Sequence, residues 1–140
     1  MSGGSGVVYL SIDEVIELHH MQIGAFGGDA GVRDLGLLES ALAMPKAAFY
    51  GVDAHPTLAS KAAAYVYHIC KNHPFIDGNK RVSGHAARVF LVMNDAEFRP
   101  TNDELADKII AVASGEISKE ALIAWFEGLV VDKNTHGTPG

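Results

Sequence analysis

The nonapeptide His73-Pro74-Phe75-Ile76-Asp77-Gly78-Asn79-Lys80-Arg81 lies between two long segments whose apolar residues recur at helical spacing, and its reading decides the fold. Pro74 disfavours the helical conformation of the residue before it, so the preceding helix must stop near Asn72 and leave His73 at a bend. An imidazole held there, with an ordinary pKa close to neutrality, is suited to act as a general base. Phe75 and Ile76 are the apolar interruption, and at least one should anchor the loop in the core. Asp77-Gly78-Asn79 is a turn tripeptide, because Gly accepts positive φ freely and Asn tolerates it. A helix restarting near Lys80 then places a converging set of main-chain N–H groups at a helix N-terminus, which favours phosphate. Lys80 and Arg81 add cations, and Asp77 offers the single carboxylate of a kind that holds Mg²⁺ alongside phosphate oxygens.

Working outward, residues 57–72 carry Leu58, Ala62, Tyr65, Val66 and Ile69 on one stripe and deliver His73, while residues 81–93 are apolar on most sides. Two buried helices therefore brace the loop, as pre-organised electrostatics requires. Upstream, Ser11 and Glu14 form a capping box, and a first helix is expected to about Met21. His19 and His20 face different directions and have no metal-ligand partners at suitable spacing, so both read as ordinary packed or exposed histidines. Residues 24–31 are glycine-rich but match no phosphate-binding pattern, and they read as a connection. Asp34 caps a second helix, which Pro45 closes. Downstream, Arg88 reads as a surface residue. Thr101 and Glu104 make a second capping box, Gly115 stops the fifth helix, and Ser118 caps a sixth. Six helices in one all-α domain over residues 7–131 are expected, with flexible termini at 1–6 and 132–140.

Composition narrows the class. A chain of 140 residues, 48% of them apolar, makes one domain with a proper core. A net charge of −6 argues against a nucleic-acid surface as the main business. Cys70 is the only cysteine, so no internal disulfide forms. No apolar run reaches membrane-spanning length and no signal-peptide pattern opens the chain, which together suggest a soluble cytoplasmic protein.

The loop resembles the H-x-F-x-D/E-G-N-G/K-R signature of the Fic and death-on-curing (Doc) superfamily, with every position filled. The stretch Gly31-Val32-Arg33-Asp34-Leu35-Gly36-Leu37-Leu38-Glu39-Ser40-Ala41 is similar to the Doc branch, as are the segments beginning at Asp103 and Ala113. The resemblance spans nearly all of residues 8–130 and implies a six-helix Fic/Doc fold with a central helix, active-site loop and helix. It implies His73 as the general base toward a target hydroxyl and Asp77 as the Mg²⁺ ligand. Gly78, Asn79, Lys80 and Arg81 would bind the phosphates of ATP, and Phe75 would be a core anchor. It also implies that residues 48–56, with Phe49-Tyr50-Gly51, form a flap that pairs with the target backbone; an ordinary surface loop with Phe49 tucked into the core is the competing reading.

Position 80 divides the branches. Enzymes that transfer AMP carry Gly there, whereas Doc carries Lys and turns ATP around so that the γ-phosphate meets the target. The expectation is therefore a Doc-like kinase, the toxin of a toxin–antitoxin pair, that phosphorylates elongation factor Tu and arrests translation. Gly78, where the best-known Doc loop has Ala, leans toward Fic, while Gly84, where Fic enzymes have a second Arg, leans away from AMP transfer. The nearest match to the inhibitory S/T-x-x-x-E-G/N motif, residues 123–128, lacks the Ser or Thr, so a separate Phd-type antitoxin is the expected inhibitor. The alternatives are AMP or nucleotidyl transfer to a protein hydroxyl, and a catalytically silent Fic-fold module that binds its partner through the flap.

Overall fold

A computed structural model describes residues 6–133. The expected flexible segments lie largely outside them, at residues 1–5 and 134–140. The described chain runs α1 (Ile12–Phe26), α2 (Leu35–Ala43), a 3₁₀ turn (Met44–Lys46), β1 (Ala48–Phe49), β2 (Val52–Asp53), α3 (Leu58–Asn72), α4 (Asn79–Met93), β3 (Ala96–Phe98), α5 (Asn102–Ala113), α6 (Lys119–Leu129) and β4 (Val130–Asp132). The six-helix architecture is as expected; two small antiparallel strand pairs join it, the hairpin β1–β2 and the pair β3–β4, whose strands are separated by α5 and α6.

Five of the six α-helices begin where the sequence supplies a side-chain cap. Ser11, Thr57 and Thr101 close reciprocal capping boxes, and Asp34 and Ser118 each accept a main-chain N–H from the first turn. The central element is α3, which packs on α2, α4, α5 and α6. Ala62, Ala63 and Ala64 are wholly buried, as is Ala59 nearly so, and such small side chains let neighbouring helices approach closely. Tyr65 fills the space toward α4 with its ring 5.1 Å from Phe90, and its hydroxyl accepts the N–H of Leu10 at 3.0 Å. On the other side, Phe98 of β3 stacks on Phe126 of α6 at 4.9 Å. No helix among the described residues is long and apolar enough to cross a membrane.

Several elements depart from the sequence reading. α1 continues past Met21 to Phe26, because Gly24 within it costs only about 1 kcal/mol and Ile23 packs against the signature loop. It ends at Gly27, φ 87°, whose N–H bonds the carbonyl of Ile23. Arg88 is not a free surface residue: it donates to the Pro100 carbonyl at 2.7 Å and lies over the Phe98 ring, and its burial lowers its pKa. Val130–Asp132 pair with Ala96–Phe98, so Asp132 belongs to a strand. Short strands of three residues carry too little alternation to announce themselves in sequence.

Candidate active site

α3 hands the chain to the loop at His73, its C-cap, held at φ 52° and ψ 55°. A non-glycine residue in this left-handed region stores roughly 1 kcal/mol of strain, so surrounding contacts must fix it. Arg33 does so from the other side of the loop: its Nε donates to the His73 carbonyl at 2.7 Å and its Nη2 to the Asn72 carbonyl at 2.9 Å. A cation bonded to the last carbonyls of a helix is favourably placed against the dipole. The imidazole of His73 itself is left exposed.

Beyond His73 the loop is stitched to residues 28–34. Val32 forms a bridge with Phe75, the N–H groups of Arg33 and Asp34 both reach the Pro74 carbonyl, and Ile76 donates to Gly31. Phe75 is wholly buried as the anchor, stacked face to face on His19 with centroids 3.8 Å apart. Ile76 stays half-exposed over Gly31, so one of the two apolar residues anchors the loop and the other braces it. His19 is buried in α1, and its Nε2 lies 2.7 Å from the Asp77 carbonyl. A carbonyl only accepts, so Nε2 carries the proton.

Asn79 is also inside: its Oδ1 accepts the Phe75 N–H and its Nδ2 donates to the Phe75 carbonyl, both at 2.9 Å. The side chain thereby closes the loop on itself through one acceptor and one donor of its carboxamide. Gly78, φ 79°, is the N-cap of α4 and has no side chain to offer; α4 is the only described α-helix without a side-chain cap, so its first-turn N–H groups are claimed by no side chain there. Lys80 and Arg81 are exposed on that turn.

Asp77 is exposed, and one carboxylate oxygen accepts the main-chain N–H of Asp29 at 2.8 Å. Gly28 must be glycine for this approach: it sits at φ 117°, and a Cβ there would stand 3.2 Å from the Asp77 Cβ. The second Asp77 oxygen has no partner among the described residues, so a single hard oxygen beside an uncapped helix N-terminus fits Mg²⁺ carried in with phosphate. The structure therefore brings His73, Asp77, Gly78, Asn79, Lys80 and Arg81 into one loop. The glycine-rich stretch is more than a connection, however, since its backbone is the second wall of that loop.

Gly84 explains an absence. It is buried against α5, where a Cβ would stand 2.8 Å from Ile109 Cδ1 and 3.3 Å from Leu105 Cδ2, so the position looks into the core and not toward the loop.

The flap region is a two-residue hairpin, Ala48 opposite Asp53 and Phe49 opposite Val52, turned by Tyr50 and Gly51, both at positive φ. Phe49 is 65% exposed and Tyr50 fully so, which removes the reading of Phe49 as a core residue. The base is tied down by Lys61, 2% exposed, whose ammonium donates to the His55 carbonyl at 2.6 Å and pairs with Asp53 at 3.4 Å.

A helix delivering an exposed histidine to a tight loop that opens an uncapped helix defines a class, and sequence comparison names it. A model of the Fic/DOC family matches residues 9–91, and the chain belongs to that family. It is 39% identical over 113 residues to Toxin Doc of Mycolicibacterium smegmatis, covering 79% of this chain and 87% of the relative. It is 32% identical over 110 residues to Protein kinase doc of Escherichia phage P1, covering 79% and 86%.

Sequence reasoning missed Arg33, His19, Gly28 and Lys61 as supports of the site. The signal for Gly28, and for Arg33 just beyond it, was the run of glycines, which marks close backbone approach as readily as it marks a linker.

Proposed function

We propose that the protein is the toxin of a toxin–antitoxin pair and acts as a Doc-type kinase, transferring the γ-phosphate of ATP to a hydroxyl of elongation factor Tu and so arresting translation. The observation that carries this reading is the conjunction at α4: an uncapped N-terminus bearing Lys80, with Gly84 one turn on packed into the core. A lysine side chain at position 80 would occupy the space that an open anion hole needs, and position 84 carries no second arginine. The name of the phage relative, a protein kinase, points the same way.

In this mechanism His73 accepts the proton of the target hydroxyl as its oxygen attacks the γ-phosphorus. The bond to the β–γ bridging oxygen breaks and ADP leaves. The first-turn N–H groups of α4, with Lys80 and Arg81, hold the phosphates in line, and Asp77 would hold Mg²⁺, which supplies charge neutralisation to the polyphosphate when bound. The exposed edge of the flap would add a strand to the target backbone and present its hydroxyl to His73. The inhibitor would be a separate Phd-type antitoxin, and the site of action the cytoplasm, where translation occurs.

The test is a transfer assay with purified protein, Mg²⁺ and elongation factor Tu, run in parallel with ATP labelled at the γ- and the α-phosphate. Label from the γ position alone is expected. Label from the α position means AMP transfer and overturns the branch assignment. No label from either, with toxicity surviving His73→Ala, leaves the binding module.

A further inference from the structure

Among the described residues the guanidinium of Arg81 has one partner, the ring of Phe26, whose centroid lies 4.3 Å from Cζ. No carboxylate pairs with it. Phe26 is 61% exposed, so core packing does not account for a large aromatic there. It is the last residue of α1 and stands seven after His19 and three after Ile23, on the helix face that touches the signature loop: His19 reaches the Asp77 carbonyl, and Ile23 lies against Gly28 and Gly78.

Stacking differs from ion pairing in what it leaves free. A carboxylate would hold the arginine but would occupy its N–H donors and cancel its charge. An aromatic face attracts the cation through its quadrupole and leaves the N–H fork at the edge available to an anion. We propose that Phe26 is a positioning residue: its ring holds the Arg81 guanidinium beside the open N-terminus of α4, ready for the polyphosphate of a nucleotide. The inference rests on the ATP-dependent reading above. Phe26 touches no reacting atom; it acts through Arg81.

The experiment uses the full chain as wild type, Phe26→Leu, Phe26→Trp, Arg81→Ala and the Phe26→Leu/Arg81→Ala double variant. Calorimetry measures the affinity for Mg·ATP and, separately, for inorganic tripolyphosphate, while NMR follows the Arg81 Nε–H resonance without ligand. Phe26→Leu should weaken both ligands about two- to fivefold, Phe26→Trp should retain wild-type affinity, and the leucine should cost nothing further once Arg81 is gone. The Arg81 resonance should show greater mobility in Phe26→Leu, and KM for ATP should rise with kcat unchanged. Equal losses in both backgrounds, an unchanged resonance, or no tripolyphosphate binding by the wild type would overturn the inference. Tripolyphosphate binding that follows the expected cycle without ATP binding would instead sink the ATP reading and leave Phe26 in its role.

Discussion

Asn79→Ala separates two roles that the same residue could play. If the side chain serves the loop, truncation removes two hydrogen bonds and leaves the N–H and carbonyl of Phe75 unpaired in a site where Phe75 is wholly buried and Asn79 is 5% exposed. Each hydrogen bond contributes about 1 kcal/mol net, and a stranded buried polar group costs about 1–3 kcal/mol. Some of that is recovered if water reaches the loop, so the expected loss is about 2–4 kcal/mol, or roughly 10 °C in Tm for a domain of this size. Asn79→Asp should not rescue it, because a carboxylate keeps the acceptor for the Phe75 N–H but sets an anion against the Phe75 carbonyl. The assay is thermal unfolding by circular dichroism, alongside Mg·ATP calorimetry. A Tm within about 2 °C of wild type combined with weakened nucleotide binding would refute the loop-clamp reasoning and make Asn79 a phosphate ligand through its side chain.

Other outcomes follow from single residues. His73→Ala should lower phosphoryl transfer about 10²–10⁴-fold while leaving Mg·ATP affinity near wild type, since the general base acts on the hydroxyl and not on the nucleotide; retained turnover would remove His73 from that role. Gly84→Arg should cost about 3 kcal/mol or more, because the new side chain would force a charge between α4 and α5, and it should not confer AMP transfer. A stable variant that gains α-label transfer would contradict the packing account. His68 gives a pH dependence: burial, then Lys119 and His55, push its pKa down to about 4, and its Nε2 is buried without a partner. The unfolded chain protonates near pH 6.5, so stability is full above that value and falls as the pH drops from about 6.5 to about 4, by about 2 kcal/mol after solvent screening. His68→Gln should flatten that stretch of the urea-denaturation profile; identical slopes in both proteins would count against it.

What the sequence disclosed, and what it hid, follows from the range of the interactions. Four N-caps, Ser11, Asp34, Thr101 and Ser118, were legible because each is a side chain bonding its own backbone within three residues, whereas the Thr57 cap, boxed by Ser60 instead of the usual Glu or Gln, was not singled out. The signature loop was legible because its chemistry is contiguous. The end of α1 was misjudged because Gly24 argues for a stop locally, whereas Ile23 and Phe26 are held by a loop some fifty residues further along the chain. The second wall was hidden for the same reason: Arg33 to His73 and Asp29 to Asp77 are pairings of main chain with distant residues, and periodicity says nothing about them. Arg88 was misread because charge alone does not tell whether a long aliphatic stem lies along an aromatic ring, as it does over Phe98.

These supports share a property with a mechanistic consequence. Arg33 fixes the His73 carbonyl, His19 the Asp77 carbonyl, Asn79 both main-chain groups of Phe75, and Gly28 makes room for the Asp29 N–H on Asp77. Three of the four act on backbone, and the fourth occupies one carboxylate oxygen and spares the other. The imidazole of His73 thus stays free of protein carboxylates among the described residues, and the cations of Lys80 and Arg81 stay unneutralised by them. A site assembled this way keeps its positive charge for a ligand that brings its own negative groups. The loop should accordingly gain more from phosphate than the rest of the domain. Hydrogen exchange at residues 73–81 should slow on adding inorganic tripolyphosphate, while the amides of α5, far along the chain and packed on the other side of α4 through Gly84, should not change. Uniform slowing across both would mean that the ligand stabilises the whole domain cooperatively and that the loop holds no separate reserve of strain.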